Sequence, residues 1–252
     1  MKNPINILVM NGDIYVSRVS GRRPVNSCVS HEGALDGDGR LIDAACFLKI
    51  VGDHFARNGI VTKRVNLIVK TPECVLRFIK LPPVAEKDIR GLVAHNLNEY
   101  FPMPVDRYAV SYRLLGKSGA GCDIMLAALP EQFAEAYAEA FARLKIVIYK
   151  LDDFRNAAAV AFDGWGKSAL LVMPQADRIN VMPFTDGVPK GVRDIYPSGG
   201  AYGEISALQR MYGMSDEVKI FTAAPEWEQA ATYFPGSDIK TLDIFSMLGR
   251  YV

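Results

Sequence analysis

Residues 5–19, INILVMNGDIYVSRV, decide the reading of the fold. Ile5–Met10 is an apolar run and Ile14–Val19 alternates, with Asn11-Gly12-Asp13 between them. Asn-Gly between two such runs is a strong hairpin signal, because a type I′ turn requires positive φ at both central residues. A second turn at Gly21-Arg22-Arg23-Pro24 leads to a third strand, Val25–Ser30. The glycine-rich stretch Gly33–Gly39 then precedes a helix whose Leu41, Ala44, Ala45, Leu48, Val51 and Phe55 fall on one stripe. Val65–Val69 reads as the next strand.

The last third repeats this order. Ala169–Met173, Arg178–Phe184 and Val188–Ile195 read as strands, Ala201–Tyr212 as a helix, Val218–Phe221 as a strand, Glu226–Tyr233 as a helix and Ile239–Leu242 as a closing strand. Three hairpin-connected strands followed by alternating helices and strands describe a ribonuclease-H-like half. Two such halves give an α/β, actin-like fold. Between them, Cys74–Leu81, Tyr108–Leu115 and Asp123–Leu129 read as strands around a helix carrying Ile89, Leu92, Val93, Leu97 and Tyr100, closed by Pro102. Phe133, Tyr137, Ala140, Phe141 and Leu144 form another helical stripe before a strand at Ile146–Tyr149. The expected organisation is a first half over residues 1–71 and 150–163, an inserted α+β subdomain over 72–149, and a shortened second half over 164–252.

Half of the 252 residues are hydrophobic and 23% are charged, enough apolar material for a sizeable core. Lys plus Arg number 29 against 28 for Asp plus Glu, so no broad basic face for nucleic acid is expected. Cys28, Cys46, Cys74 and Cys122 stand far apart, as do His31, His54 and His95, which argues against zinc. The spacing fits free thiols in a reducing cytosol. No apolar run approaches the ~20 residues that span a bilayer, so the chain is expected to be cytoplasmic and to meet a membrane only through a partner. Gly166-Lys167-Ser168 looks like the end of a phosphate-binding loop, but Ala161 stands where that loop needs its first glycine. Asp36-Gly37-Asp38-Gly39 lacks the distal Glu of a calcium loop. Gly116–Ala120 falls short of a nucleophile elbow.

The stretch Leu81-Pro82-Pro83-Val84-Ala85-Glu86-Lys87-Asp88-Ile89, with Asn98-Glu99-Tyr100-Phe101-Pro102-Met103, resembles the signature region of PilM, the actin-like protein of type IV pilus inner-membrane assembly. Leu151-Asp152-Asp153-Phe154-Arg155-Asn156-Ala157 resembles that family's helix after the inserted subdomain. The resemblance implies a cytoplasmic scaffold that binds the N-terminal tail of a PilN-like bitopic inner-membrane protein, in a groove between the first half and the insertion. It also implies possible contact with the assembly ATPase. Asn96 and Tyr100, on the inserted helix, are the residues expected at the partner. Equally, Asn96 could cap buried backbone and Tyr100 could belong to the core.

Nucleotide-binding members of the actin-like class resemble one another in an Asp-x-Gly-Ser/Thr hairpin in each half. The counterparts here depart from it. Asn11-Gly12 makes a tight turn with no hydroxyl, Pro174-Gln175 loses an amide donor to proline, and Ala223-Ala224 stand at the adenosine side where glycines are expected. A degenerate, non-hydrolysing protein with no cofactor and no metal is the expectation. The alternatives are an active actin-like ATPase of the same machine, or the cytoplasmic domain of a GspL-like secretion protein, which would continue into a transmembrane helix where this sequence stops at Gly249-Arg250-Tyr251-Val252.

Overall fold

The computed structural model describes residues 5–18, 25–31, 33–101, 103–162, 164–174, 178–196, 201–214, 218–223, 234 and 238–251. A five-stranded sheet is built from β1 (Ile5–Met10), β2 (Asp13–Arg18), β3 (Val25–Ser30), β4 (Arg64–Val69) and β8 (Val147–Asp153), in the order β3-β2-β1-β4-β8. The first three strands are antiparallel, whereas β4 and β8 run parallel to β1. A second sheet uses β9 (Ser168–Pro174), β10 (Ile179–Thr185), β11 (Val188–Pro189), β13 (Lys219–Thr222) and β14 (Ile239–Thr241) in the matching order β11-β10-β9-β13-β14. The short β12 (Arg193–Ile195) also pairs with β10. A third, antiparallel sheet, β5-β7-β6, consists of β5 (Val75–Leu81), β6 (Tyr108–Ser118) and β7 (Gly121–Pro130).

The period-two alternation of β1 explains the layering, since both faces of a central strand must be buried. Ile5, Ile7 and Val9 point into one core with Phe47, Val51 and Phe55 of α1 (Ala44–Arg57) and with Phe133, Tyr137 and Phe141 of α4 (Glu131–Arg143). Leu8 and Met10 point the other way, into a second core shared with α5 (Phe154–Ala161), α7 (Ile244–Arg250) and the Ala169, Leu171 and Met173 face of β9. This second core joins the two large sheets. The opposite face of β9, Leu170 and Val172, packs with Leu208 of α6 (Ala201–Tyr212).

Polar groups fix how α7 docks. Asn6 and Asn66 are register partners on β1 and β4. The Asn66 amide donates to Asn6 Oδ1 at 2.8 Å, and the Asn6 amide donates to the carbonyls of Leu248 and Tyr251. The last carbonyls of α7, which have no partner inside a helix, are thereby satisfied by the first strand of the chain.

Three differences from the sequence expectation have physical causes. Residues 131–149 belong chiefly to the first sheet: the α4 stripe buries itself against it while also touching β6 and β7, and β8 is that sheet's fifth strand, so the separate antiparallel sheet spans only β5 to β7. The inserted helix breaks at Asn96 into α2 (Glu86–His95) and α3 (Leu97–Tyr100), and Pro102 lies outside the described residues. The loop expected at 116–121 is a tight turn. Gly121 sits at φ 138°, where an added Cβ would fall 2.3 Å from the Leu81 carbonyl, so only glycine lets β7 pass that strand. The helix expected over 226–233 lies outside the described residues.

Candidate functional site

The carboxyl ends of β1, β4, β8, β9 and β13 are where a ligand is sought in sheets of this kind. At the end of β1, Asn11 and Gly12 have φ of 51° and 90°, the type I′ turn expected from the sequence. Two of its acceptors are engaged. The Gly12 carbonyl accepts from His31 N at 3.0 Å, and Asn11 Oδ1 accepts from Lys70 Nζ at 2.9 Å. At the end of β9, Pro174 stands opposite Ile179 and supplies no N–H. Ala223 is fully buried just beyond β13, and Gln175 and Ala224 lie outside the described residues. Met10, Met173 and Ala223 belong to one apolar cluster with Phe154, Leu242 and Ile244. The third sheet adds Met125 to that cluster and packs Phe78 and Leu115 against it.

Lys70 follows β4 beside the β1–β2 turn. Burial lowers its ammonium pKa from 10.5 to about 8, with the Asp153 carboxylate opposing the shift. The folded state therefore carries a disfavoured charge at pH 7, and that penalty disappears as pH rises from about 8 to 10.5. Lys70→Met is expected to be more stable than the wild type at pH 7, with the gap narrowing over that interval in urea unfolding. A gap independent of pH would show that Lys70 titrates alike in both states.

At the end of β8 two adjacent carboxylates serve as anchors. Asp153 caps α5, accepting from Arg155 N at 2.9 Å and Nε at 2.7 Å, while Arg155 Nη2 donates to the Cys74 carbonyl at 2.6 Å. Burial disfavours the Arg155 charge, but Asp153 and these hydrogen bonds outweigh it and raise the guanidinium pKa. Asp152 accepts from Asn156 Nδ2 and from the Tyr251 hydroxyl, each at 2.6 Å, and Asn156 Oδ1 accepts from Arg113 Nε at 3.0 Å. Burial raises the Asp152 pKa, against the lowering effect of the Tyr251 and Asn156 hydrogen bonds. These contacts join β6, α5, β8 and the end of α7, and they use the carboxylate lone pairs for structure.

A cavity of about 120 Å³ opens where the chain enters and leaves the third sheet, lined by Arg40, Leu41, Glu73, Pro130, Gln132, Phe133, Ala136 and Tyr137. Arg40 forms a bidentate pair with Glu73 across its mouth, which raises the arginine pKa. The Tyr137 hydroxyl donates to the Gly39 carbonyl at 2.6 Å, and burial pushes that phenol up. Gly39 itself, at φ 81°, has no room for a Cβ, which would fall 2.9 Å from Val69 Cγ1. Asp36 Oδ1 accepts from Asp38 N and Arg40 N, so the Asp-Gly-Asp-Gly stretch is a backbone-bonded loop that shapes this wall. The cavity is thus lined both by apolar side chains and by the charged Arg40–Glu73 pair.

Asn96 and Tyr100 do not line this cavity. Asn96 ends α2 through its backbone N–H, and Tyr100 packs against the core of the third sheet with Ile89, Val93 and Phe101. Among the described residues the Asn96 side chain meets no hydrogen-bond partner. The cavity residues carried only indirect signals in the sequence, namely the glycine loop before α1 and the aromatic stripe of α4.

Two sheets of matching strand order, with helices between them and a small antiparallel sheet attached to the first, define an actin-like fold. No family model and no curated relative matches the chain. Among solved structures, it is similar to a PilM-PilN type IV pilus biogenesis complex at TM-score 0.69 and 14% identity, over 95% of this chain and 88% of the other. It is also similar to a Bacteroides thetaiotaomicron protein with an actin-like ATPase fold, at TM-score 0.52 and 9% identity over 98% and 95% of the two chains. The cytoplasmic domain of EpsL, an inner-membrane component of the Vibrio cholerae type II secretion system, matches at TM-score 0.52 and 9% identity over 97% and 92%.

Proposed function

We propose that this chain is a nucleotide-free cytoplasmic adaptor of a type IV pilus or related inner-membrane assembly, which holds the cytoplasmic tail of a PilN-like membrane protein. The observation that carries the nucleotide-free reading is the burial of Met10, Met173 and Ala223, at the ends of β1, β9 and β13, in one apolar cluster. A triphosphate needs converging backbone donors; Pro174 supplies none at the β9 end, and at the β1 end Asn11-Gly12 forms a tight two-residue turn. The full-length likeness to a PilM-PilN complex supports the choice of machine. The likeness to cyto-EpsL supports a second reading, a secretion-system counterpart with the same adaptor role.

This reading puts the tail peptide at the cavity between the loop before α1 and α4, where Leu41, Phe133 and Ala136 are apolar lining residues for one side chain. A fluorescent peptide from the tail of a PilN-like protein is expected to bind the wild type and to lose at least about tenfold in affinity for Ala136→Trp, which fills the cavity. Equal binding by the variant would remove the cavity assignment. No binding by the wild type would remove the adaptor reading.

A further inference from the structure

The two outer edges of the first sheet are not alike. At the β8 edge, Val65 pairs with Ile148 and Asn66 with Lys150, so Tyr149 is an extra, bulged residue. Exposed Lys150 follows it, and Arg64 stacks on the Tyr149 ring at 5.8 Å. Bulges and lysines are how natural edge strands resist pairing with another chain. The β3 edge has neither. Its pairing with β2 runs without a shift from Val25 opposite Arg18 to Ser30 opposite Asp13, and Val25–Ser30 contains no charged residue and no proline.

The phase of the β2–β3 ladder is set by the His31 N to Gly12 O hydrogen bond. Odd-numbered residues of β3 turn their backbone groups towards β2, so those of Asn26 and Cys28 point away from it, to the side where none of the described strands pairs. The side chains of Asn26 and Cys28 are exposed. Cys28 is the register partner of Tyr15, whose ring meets Phe245 of α7 edge-on at 5.9 Å, and both rings are half-buried.

We propose that the β3 edge is a self-association surface, on which a second copy of this chain adds its own β3 in antiparallel register centred on Cys28. A two-fold axis normal to the sheet pairs residues of equal parity, which keeps the α1 face of both copies on the same side. Asn26 then meets Ser30 of the second copy and Ser27 meets Val29, with no like charges opposed. The Tyr15 and Phe245 rims add apolar area beside the strand, which a lone peptide strand would leave uncovered. This surface is independent of the cavity and of the adaptor reading.

Sedimentation equilibrium and thiol crosslinking of the intact chain test it. The wild type is expected to show a concentration-dependent dimer at up to about 100 µM. A short bis-maleimide should give a covalent dimer that Cys28→Ser abolishes while the other three cysteines remain. Asn26→Lys with Cys28→Lys should weaken association at least about tenfold, with the thermal midpoint of the monomer unchanged. A monomer at every concentration, or a dimer indifferent to the lysine pair, would overturn the proposal.

Discussion

Arg155→Met is expected to lower the unfolding free energy by about 3–5 kcal/mol, the usual cost of breaking a buried ion pair from one side. The Arg155 and Asp153 side chains are only 10% and 2% exposed. Removing the guanidinium leaves the Asp153 carboxylate buried with its backbone donor alone and leaves the Cys74 carbonyl without its partner. The pair joins the start of α5 to the segment leading into β5, so the loss should loosen the third sheet's attachment as well as the helix. Urea unfolding measures the first effect, and amide exchange across β5 and β7 reads the second. Asp153→Leu combined with Arg155→Met should recover part of the loss, because the stranded charge is gone. A single-variant cost below about 1 kcal/mol would mean the pair behaves as a surface contact.

Trp165→Ala is expected to cost a similar amount, about 3–5 kcal/mol, for a different reason. Its ring is buried and stacks on Phe184 with centroids 3.8 Å apart and planes at 8°, and it meets Phe162 and Phe221 edge-on. Truncation opens a cavity among three aromatic rings in the core that joins the two large sheets. Trp165→Phe should recover most of the loss, since the indole Nε1 is buried without a partner among the described residues and nothing polar is given up. Thermal and urea unfolding of both variants measure this. An equal loss for Phe and Ala would show that indole shape, rather than aromatic area, holds the joint.

The hairpin at Asn11-Gly12 was legible because one dipeptide dictates two positive φ angles, and the alternation around it placed both neighbouring strands. The element order of the second half followed from the same local signals, except that Val188–Ile195, read as one strand, is the two short strands β11 and β12. The position of α4 was not legible. A stripe at Phe133, Tyr137 and Phe141 states that one face is buried, not against which sheet. The Gly166-Lys167-Ser168 stretch, with Gly166 at φ 67°, leads from Trp165 into strand β9 and not into a helix as a phosphate-binding loop does. The anchors of the site were invisible for a further reason. Tyr251 meets Asp152 across 99 residues, and Arg155 meets Cys74 across 81. No local pattern encodes such contacts. Asn96 and Tyr100 are marked by their place on the inserted segment alone, whereas the cavity is formed by a loop and a helix start that only the fold brings together.

The central claim is that an actin-like fold here serves without its nucleotide. Calorimetric titration of the chain with magnesium ATP tests it most directly. The expected result is no heat beyond dilution at nucleotide concentrations up to about 1 mM. A saturable isotherm with a Kd of about 1–10 µM would contradict it.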